Sequence, residues 1–244
     1  MKQNRSYEEA KEQYMQIGVD TDLAIARLLK IRISMQCWQG DDVRGFLSAD
    51  TPLSGGIQVT GNYPGAARCA EELRMDLREA LSLIPGKHKV NLHAIYAEAP
   101  KCCDLNAIEP QHYQAWVDWA RANGLGLDFN PTCFSHRMAE RGFTLSSPEK
   151  TVRDFWIEHC RRAREIGEYF GRELGQRAVT NLWIPDGMKD TPADRYAPRR
   201  RLWEALDEVF AKPLSTEYCL DAVESKLFGI GSESYVVGSH EFYM

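Results

Sequence analysis

No stretch of this 244-residue sequence approaches the roughly 18 consecutive apolar residues that a membrane-spanning helix needs. The opening segment, Met1-Lys-Gln-Asn-Arg-Ser-Tyr7, is polar where a secretion signal carries an apolar core, so neither a span nor a leader is expected. Positive charge is not in excess either. Against 30 Lys and Arg stand 35 Asp and Glu, a formal charge of −5, which argues against the clustered basic surface that nucleic acid or an anionic bilayer demands. The 7 cysteines are single apart from Cys102-Cys103 and none has C-x-x-C spacing, so no zinc knuckle or disulfide framework is expected and a reducing, cytoplasmic setting is. The H-E-x-x-H and G-x-S-x-G motifs are also missing, as are low-complexity runs, internal repeats and linkers.

What is present is an alternation. Residues 6–30 read as two short helices broken at Gly18, an N-terminal helical extension covering 1–30. Strand-like apolar runs then appear at 33–38, 89–96, 125–130, 179–185 and 218–226, each followed by a helical pattern. Leu73, Leu77, Leu81 and Ile84 make one helical stripe that Pro85-Gly86 ends; Trp116 and Ala120 share a face before Gly124. Ser147-Pro148 reads as an N-cap and first helical position ahead of Val152, Phe155 and Ile166, and Leu202, Leu206, Val209 and Phe210 complete the series. Strand–helix alternation makes a parallel sheet. With 43% hydrophobic residues the chain can bury a sizeable core, and its length nears that of a (β/α)8 barrel, so residues 31–244 are expected to be the first βα units of one domain. Two connections, 45–65 and 131–147, exceed what closure requires and read equally as lids or as surface loops.

Chemistry-bearing residues gather at strand ends. In Asp221-Ala-Val-Glu224-Ser-Lys226 a two-residue period puts Glu224 and Lys226 on one face, a carboxylate beside an ammonium, suited to a metal ligand next to a cation that steadies a substrate oxygen; a plain ion pair is the alternative. His93 interrupts an apolar run. Trp38 and Trp183 close the first and fourth strands next to acidic residues, where an aromatic face suits the apolar side of a sugar; a core tryptophan and an Asp-Gly turn are the plainer readings. Gly229-Ile-Gly231-Ser-Glu-Ser234 lacks the third glycine of a dinucleotide loop and reads as a turn.

Six segments carry a closer likeness: Met35-Gln-Cys-Trp-Gln-Gly-Asp-Asp-Val43, Gly55-Gly-Ile-Gln-Val-Thr-Gly-Asn-Tyr-Pro-Gly65, Asn91-Leu-His-Ala-Ile-Tyr96, Leu127-Asp-Phe-Asn-Pro-Thr-Cys-Phe-Ser-His136, Trp183-Ile-Pro-Asp-Gly-Met-Lys-Asp190 and Val223-Glu-Ser-Lys-Leu-Phe-Gly-Ile-Gly231. In order and content they resemble L-rhamnose isomerases. The resemblance implies a (β/α)8 TIM barrel of the xylose-isomerase-like type, incomplete here at about five βα units. It further implies a homotetramer that interconverts L-rhamnose and L-rhamnulose with Mn2+ or a similar divalent ion, hydrogen moving between C1 and C2. It assigns Glu224 to a metal, Lys226 to the substrate's O1 and His93 to the sugar, as a group for ring opening. Trp38 and Trp183 become pocket walls, Phe134 a residue that reaches a neighbouring subunit's pocket, and the 45–65 loop a cover. Members of the family continue past Met244 with further His and Asp ligands. An inert remnant that at most binds sugar or assists assembly is therefore the competing expectation, and another divalent-metal sugar isomerase or epimerase barrel a more distant one.

Overall fold

Each of the five apolar runs supplies a strand, and the strands lie side by side in a single parallel sheet. The computed structural model describes residues 4–36, 67–100, 102–226, 229 and 233–244. Strands β1 (Ile33–Gln36), β2 (His88–His93), β3 (Gly126–Asn130), β4 (Ala178–Leu182) and β6 (Cys219–Val223) are ordered β1-β2-β3-β4-β6. Neighbours in sequence are neighbours in space because each crossover is a helix returning the chain to the same sheet edge. Among the described residues a second, two-stranded sheet pairs β5 (Gly187–Met188) with β7 (Tyr235–Val236) in antiparallel fashion. The mixed α/β class with a parallel sheet agrees with the sequence reading.

Strands β2, β4 and β6 stop earlier than their apolar runs, whereas β3 ends at Asn130 as expected. β2 was expected to reach Tyr96 but ends at His93, where a short 3-10 turn over Ala94–Tyr96 begins. The cause is one side chain distant in sequence: the Ala94 N–H leaves the ladder and donates to Thr132 Oγ1 at 3.1 Å. β3 and β4 meet through the single pair Phe129 with Thr180, because the Val179 N–H is taken by the Asp128 carboxylate at 2.8 Å instead of a backbone carbonyl. β6 ends at Val223, three residues short of Lys226.

Helices α1 (Asn4–Gln16) and α2 (Thr21–Leu28) form the expected broken pair, with the Asp20 side chain accepting from Leu23 N at the start of α2. α3 (Ala70–Ser82) buries Leu73 and Leu77, and α4 (Gln114–Ala122) buries Trp116, Val117 and Ala120 before Gly124, whose φ of +66° ends it at little steric cost. The central helix α5 (Lys150–Leu174) starts two residues later than Ser147-Pro148 suggested. Glu149 takes the N-cap position, while Ser147 Oγ accepts the Glu149 N–H. Along α5 the buried Trp156, Cys160, Ala163, Ile166 and Phe170 recur at helical spacing. The glycines between them set how near the helix lies. A Cβ at Gly171 would fall 1.8 Å from the Tyr218 carbonyl oxygen, and one at Gly167 would fall 2.1 Å from Thr180 Oγ1. Only hydrogen fits at either place, so α5 rests directly on β4 and the start of β6. α6 (Tyr196–Phe210) packs Leu202, Ala205 and Val209 inward, and α7 (His240–Tyr243) closes the described chain.

Helices α4 and α5 cover one face of the sheet, with α6 packed on α5. There Val90 and Leu92 of β2 sit beside Leu127 and Phe129 of β3, followed by Ala178, Thr180 and Leu182 of β4 and Cys219 of β6, none more than 3% exposed. Phe129 makes edge-to-face contacts with Tyr113 at 5.2 Å and with Phe170 at 5.7 Å. Each large side chain so buried contributes about 1.5–3 kcal/mol, which makes this layer the main source of cohesion.

Candidate functional site

Because side chains alternate along a strand, the residues between those core positions point the other way. They are Ser34 and Gln36 of β1, Lys89, Asn91 and His93 of β2, Asp128 and Asn130 of β3, Val179 and Asn181 of β4, and Leu220 and Ala222 of β6. Polar groups there hold one another. Lys89 Nζ meets Asp128 Oδ1 at 2.9 Å, Asn91 Nδ2 donates to Gln36 Oε1 at 2.7 Å, and Asn181 Nδ2 donates to the Glu224 carboxylate. A fold that wanted only cohesion would fill this face with aliphatic residues, since a buried polar group is costly unless fully bonded. The carboxyl ends of parallel strands, where this face meets the following loops, are also where open and closed α/β sheets bind ligands.

His93 is the last residue of β2 and 1% exposed. Burial drives its pKa down from 6.5 to about 3, so the imidazole is neutral at ordinary pH. Its Nδ1 lies 2.9 Å from Thr132 Oγ1, and its ring meets Tyr96 and Phe134 edge-on at 5.8 and 6.4 Å. Phe134 in turn stands edge-on to the half-buried Trp183 at 5.8 Å. Three residues singled out from the sequence, one at the end of β2 and two on the connections after β3 and β4, thus form one continuous set: His93, Phe134, Trp183. Trp38 and the 45–65 loop lie outside the described residues.

The Glu224 and Lys226 expectation needs correction. The two-residue period holds only as far as Val223, and beyond it the two side chains part. Glu224 stays exposed on the polar face against Asn181, while Lys226 is 3% exposed and puts its ammonium on the Pro185 carbonyl and the Glu233 carboxylate. Its backbone N–H donates to Gly238 O at 2.9 Å. The ion pair is real but its acid is Glu233, seven residues on in a loop, where no periodicity could point to it.

Loop 131–147, read from sequence as a lid or a surface connection, is neither. Thr132, Cys133, Thr144, Leu145 and Ser146 are fully buried. Asp186, which read as half of an Asp-Gly turn, is the main clamp. Its carboxylate accepts Thr144 N at 2.8 Å, Ser146 N at 3.0 Å, Ser146 Oγ at 2.6 Å and the Thr144 hydroxyl. Burial still pushes its pKa up against those four donors. At the other end His159 of α5 reaches Leu105 O at 2.7 Å through Nδ1 and Pro131 O through Nε2. His136 accepts Met138 N on Nδ1, donates from Nε2 to Asp104 at 2.8 Å, and stacks on Phe155 at 4.8 Å. So braced, the loop keeps two non-glycine residues in the left-handed region, Thr132 at φ 58° and Ser135 at φ 51°. Such conformations cost about 1–3 kcal/mol each and gather where a site needs them. Phe134 lies between the two.

Among the described residues no three His, Cys, Asp or Glu side chains gather as a metal-binding group, and no helix is long and apolar enough to cross a membrane.

A family model for L-rhamnose isomerase (RhaA) matches residues 1–244. The chain belongs to the L-rhamnose isomerase family. An L-rhamnose isomerase of Listeria monocytogenes serovar 1/2a is 63% identical over 241 residues, covering 99% of this chain and 57% of the relative. Those of Yersinia pseudotuberculosis serotype IB and Lactiplantibacillus plantarum are 58% and 57% identical, over 98% of this chain and 57% and 56% of their own lengths. The chain therefore spans a little over half the length of the L-rhamnose isomerases it matches. Among solved structures, the crystal structure of SacUVDE aligns with 81% of this chain and 62% of its own at 11% identity and a TM-score of 0.38, too slight a likeness to bear on the site. The polar face went unread in the sequence as a face, although its signal was there: Lys89, Asn91 and His93, then Asp128 and Asn130, fall at every second place in otherwise apolar runs.

Proposed function

We propose that this chain is the sugar-binding first part of an L-rhamnose isomerase, interconverting L-rhamnose and L-rhamnulose, and that its five βα units belong to a (β/α)8 barrel of the xylose-isomerase-like type whose polar face lines the interior. One observation carries the reading: His93, Phe134 and Trp183 come together beside a polar strand face at the carboxyl ends of the sheet. Trp183 and Phe134 offer ring faces and edges to the apolar side of the sugar, while Asn130, Asn181 and Asn91 suit its hydroxyls. His93, neutral and dry, accepts or returns a hydroxyl proton during ring opening. Lys226 holds two of its three donor hydrogens on Pro185 and Glu233, and the third is the one a substrate oxygen would take.

The isomerisation moves hydrogen from C2 to C1 while a proton passes from O2 to O1, so charge must be steadied on both oxygens. A divalent ion such as Mn2+ would supply that as a Lewis acid. Of the carboxylates on this face Asp128 is taken by Lys89 and the Val179 N–H, which leaves Glu224 as the donor for a metal, and one carboxylate falls short of a site, so the contribution assigned to this chain is binding, orientation and proton handling. A tetramer and a cytoplasmic location complete the reading, supported by the family and by cysteines without C-x-x-C pairing.

The test is direct. Purified chain is titrated with L-rhamnose and with L-rhamnulose by calorimetry, with and without Mn2+, and ketose is followed in the same samples. Sugar binding that disappears in Trp183→Ala is the expected outcome. A chain that neither forms ketose nor binds either sugar by calorimetry would overturn the proposal.

A further inference from the structure

Thr132 occupies a position that costs it something and returns nothing to the core. It is β-branched, fully buried, and held at a φ of 58°, where such residues rarely sit. The Asn130 side chain keeps it there by accepting Thr132 N at 2.8 Å. The outcome of that posture is a hydroxyl surrounded by three groups: Ala94 N at 3.1 Å, Asn130 O at 3.2 Å and His93 Nδ1 at 2.9 Å.

Two of the three have no choice of role. The Ala94 amide can only donate and the Asn130 carbonyl can only accept, while a hydroxyl has one hydrogen and two lone pairs. With the hydrogen on Asn130 and one lone pair on Ala94, all three contacts are hydrogen bonds when the remaining lone pair receives a hydrogen from His93, whereas a hydroxyl that donated to Nδ1 would leave the Asn130 contact without a hydrogen. That requires the proton on Nδ1. In an imidazole the partner of one nitrogen decides the state of the other.

We infer that Thr132 is a positioning residue that fixes His93 as the Nδ1–H tautomer, so that Nε2 keeps its lone pair and acts as an acceptor. That the group it accepts from is a sugar hydroxyl rests on the function proposed above. The assignment gives the loop's strain a purpose: a donor-only and an acceptor-only backbone group hold one hydroxyl so that the histidine next to it cannot switch tautomer. It also separates His93 from His136, which accepts on Nδ1 and donates from Nε2.

The experiment is long-range 1H–15N correlation of 15N-histidine-labelled chain at neutral pH, His93 being assigned by its loss in His93→Gln. Thr132→Ser and Thr132→Val are compared with the unaltered chain. His93 is expected as Nδ1–H in the unaltered chain and in Thr132→Ser. In Thr132→Val the Nε2–H form, which free imidazole side chains favour, should become the major species. An Nε2–H ring in the unaltered chain, or an Nδ1–H ring that persists in folded Thr132→Val, would overturn the inference. Should Thr132→Val fail to fold, judged by circular dichroism, the unaltered chain and Thr132→Ser still decide it. Adding L-rhamnose then separates the two claims. A His93 Nε2 signal that moves with sugar supports both, whereas a fixed Nδ1–H ring indifferent to sugar upholds the tautomer and counts against the sugar reading.

Discussion

The two faces of the parallel sheet are made from the same five strands, residue by alternate residue, and their chemistry differs most over β2 and β3. On the helix-covered face Val90, Leu92, Leu127 and Phe129 are all but inaccessible and belong to the apolar core. On the other, Lys89, Asn91, His93, Asp128, Asn130 and Asn181 hold hydrogen bonds with one another and with nearby loops. The difference teaches where this fold keeps stability and where it gives stability up. Apolar burial yields about 25 cal/mol per Å2 without regard to direction, whereas paired polar groups barely recover what they lose in leaving water. On the function proposed above, the polar face is there for a ligand.

If that division is right, the largest effect on folding belongs to the helix face. Phe129→Ala removes a fully buried ring that touches both Tyr113 and Phe170 and should lower unfolding free energy by about 3–5 kcal/mol, read from urea denaturation. A loss under about 1 kcal/mol would mean that the layer between sheet and α5 is not the principal core.

The helix face is also the one legible from sequence. Period-two and period-3.6 patterns report burial, and burial built β1 to β4, β6 and α3 to α6 where the apolar runs stood. What sequence reading lost was decided by single polar side chains. β2 was drawn past His93 because nothing local shows that Thr132, 38 residues on, takes the Ala94 N–H. Glu224 and Lys226 were placed together because a strand period was carried beyond Val223, and the true partner of Lys226 came from a loop. Asp186 looked like half of a turn and proved to hold loop 131–147 from inside. A polar side chain can satisfy itself in many directions, so its choice depends on tertiary neighbours that spacing does not encode.

A smaller effect, on the polar face, should be visible as pH dependence. His93 titrates near 3 when folded and near 6.5 when unfolded. Between those values the unfolded chain binds the extra proton, so stability is complete above about 6.5 and declines on acidification by roughly 1.4 kcal/mol per unit from this residue alone. Its described neighbours are Thr132 and the rings of Tyr96 and Phe134, none of which charges in that range. Taken from pH 7 to pH 5, His93→Gln should lose about 2 kcal/mol less than the unaltered chain, since the carboxylates common to both cancel. Equal losses would show that the ring is not kept neutral by burial.

The smallest effect on folding is expected at Asn181, and it sharpens the contrast between the faces most. Its amide donates to a Glu224 carboxylate that is itself exposed, so in Asn181→Ala water replaces the lost bond and stability should fall by no more than about 1 kcal/mol. Function should respond in the opposite proportion. On the reading proposed here Glu224 is a single donor that holds Mn2+ only weakly, and removing the hydrogen-bond partner that orients a ligating carboxylate typically weakens metal binding by a further factor of about 10–100. Mn2+ titration followed by electron paramagnetic resonance, alongside urea denaturation of the same variant, measures both quantities. A variant that unfolds as readily as Phe129→Ala yet binds Mn2+ unchanged would place Asn181 with the core and remove the distinction between the two faces; a stable variant with weakened Mn2+ binding would establish that one strand, β4, serves cohesion through Thr180 and Leu182 and chemistry through the residue between them.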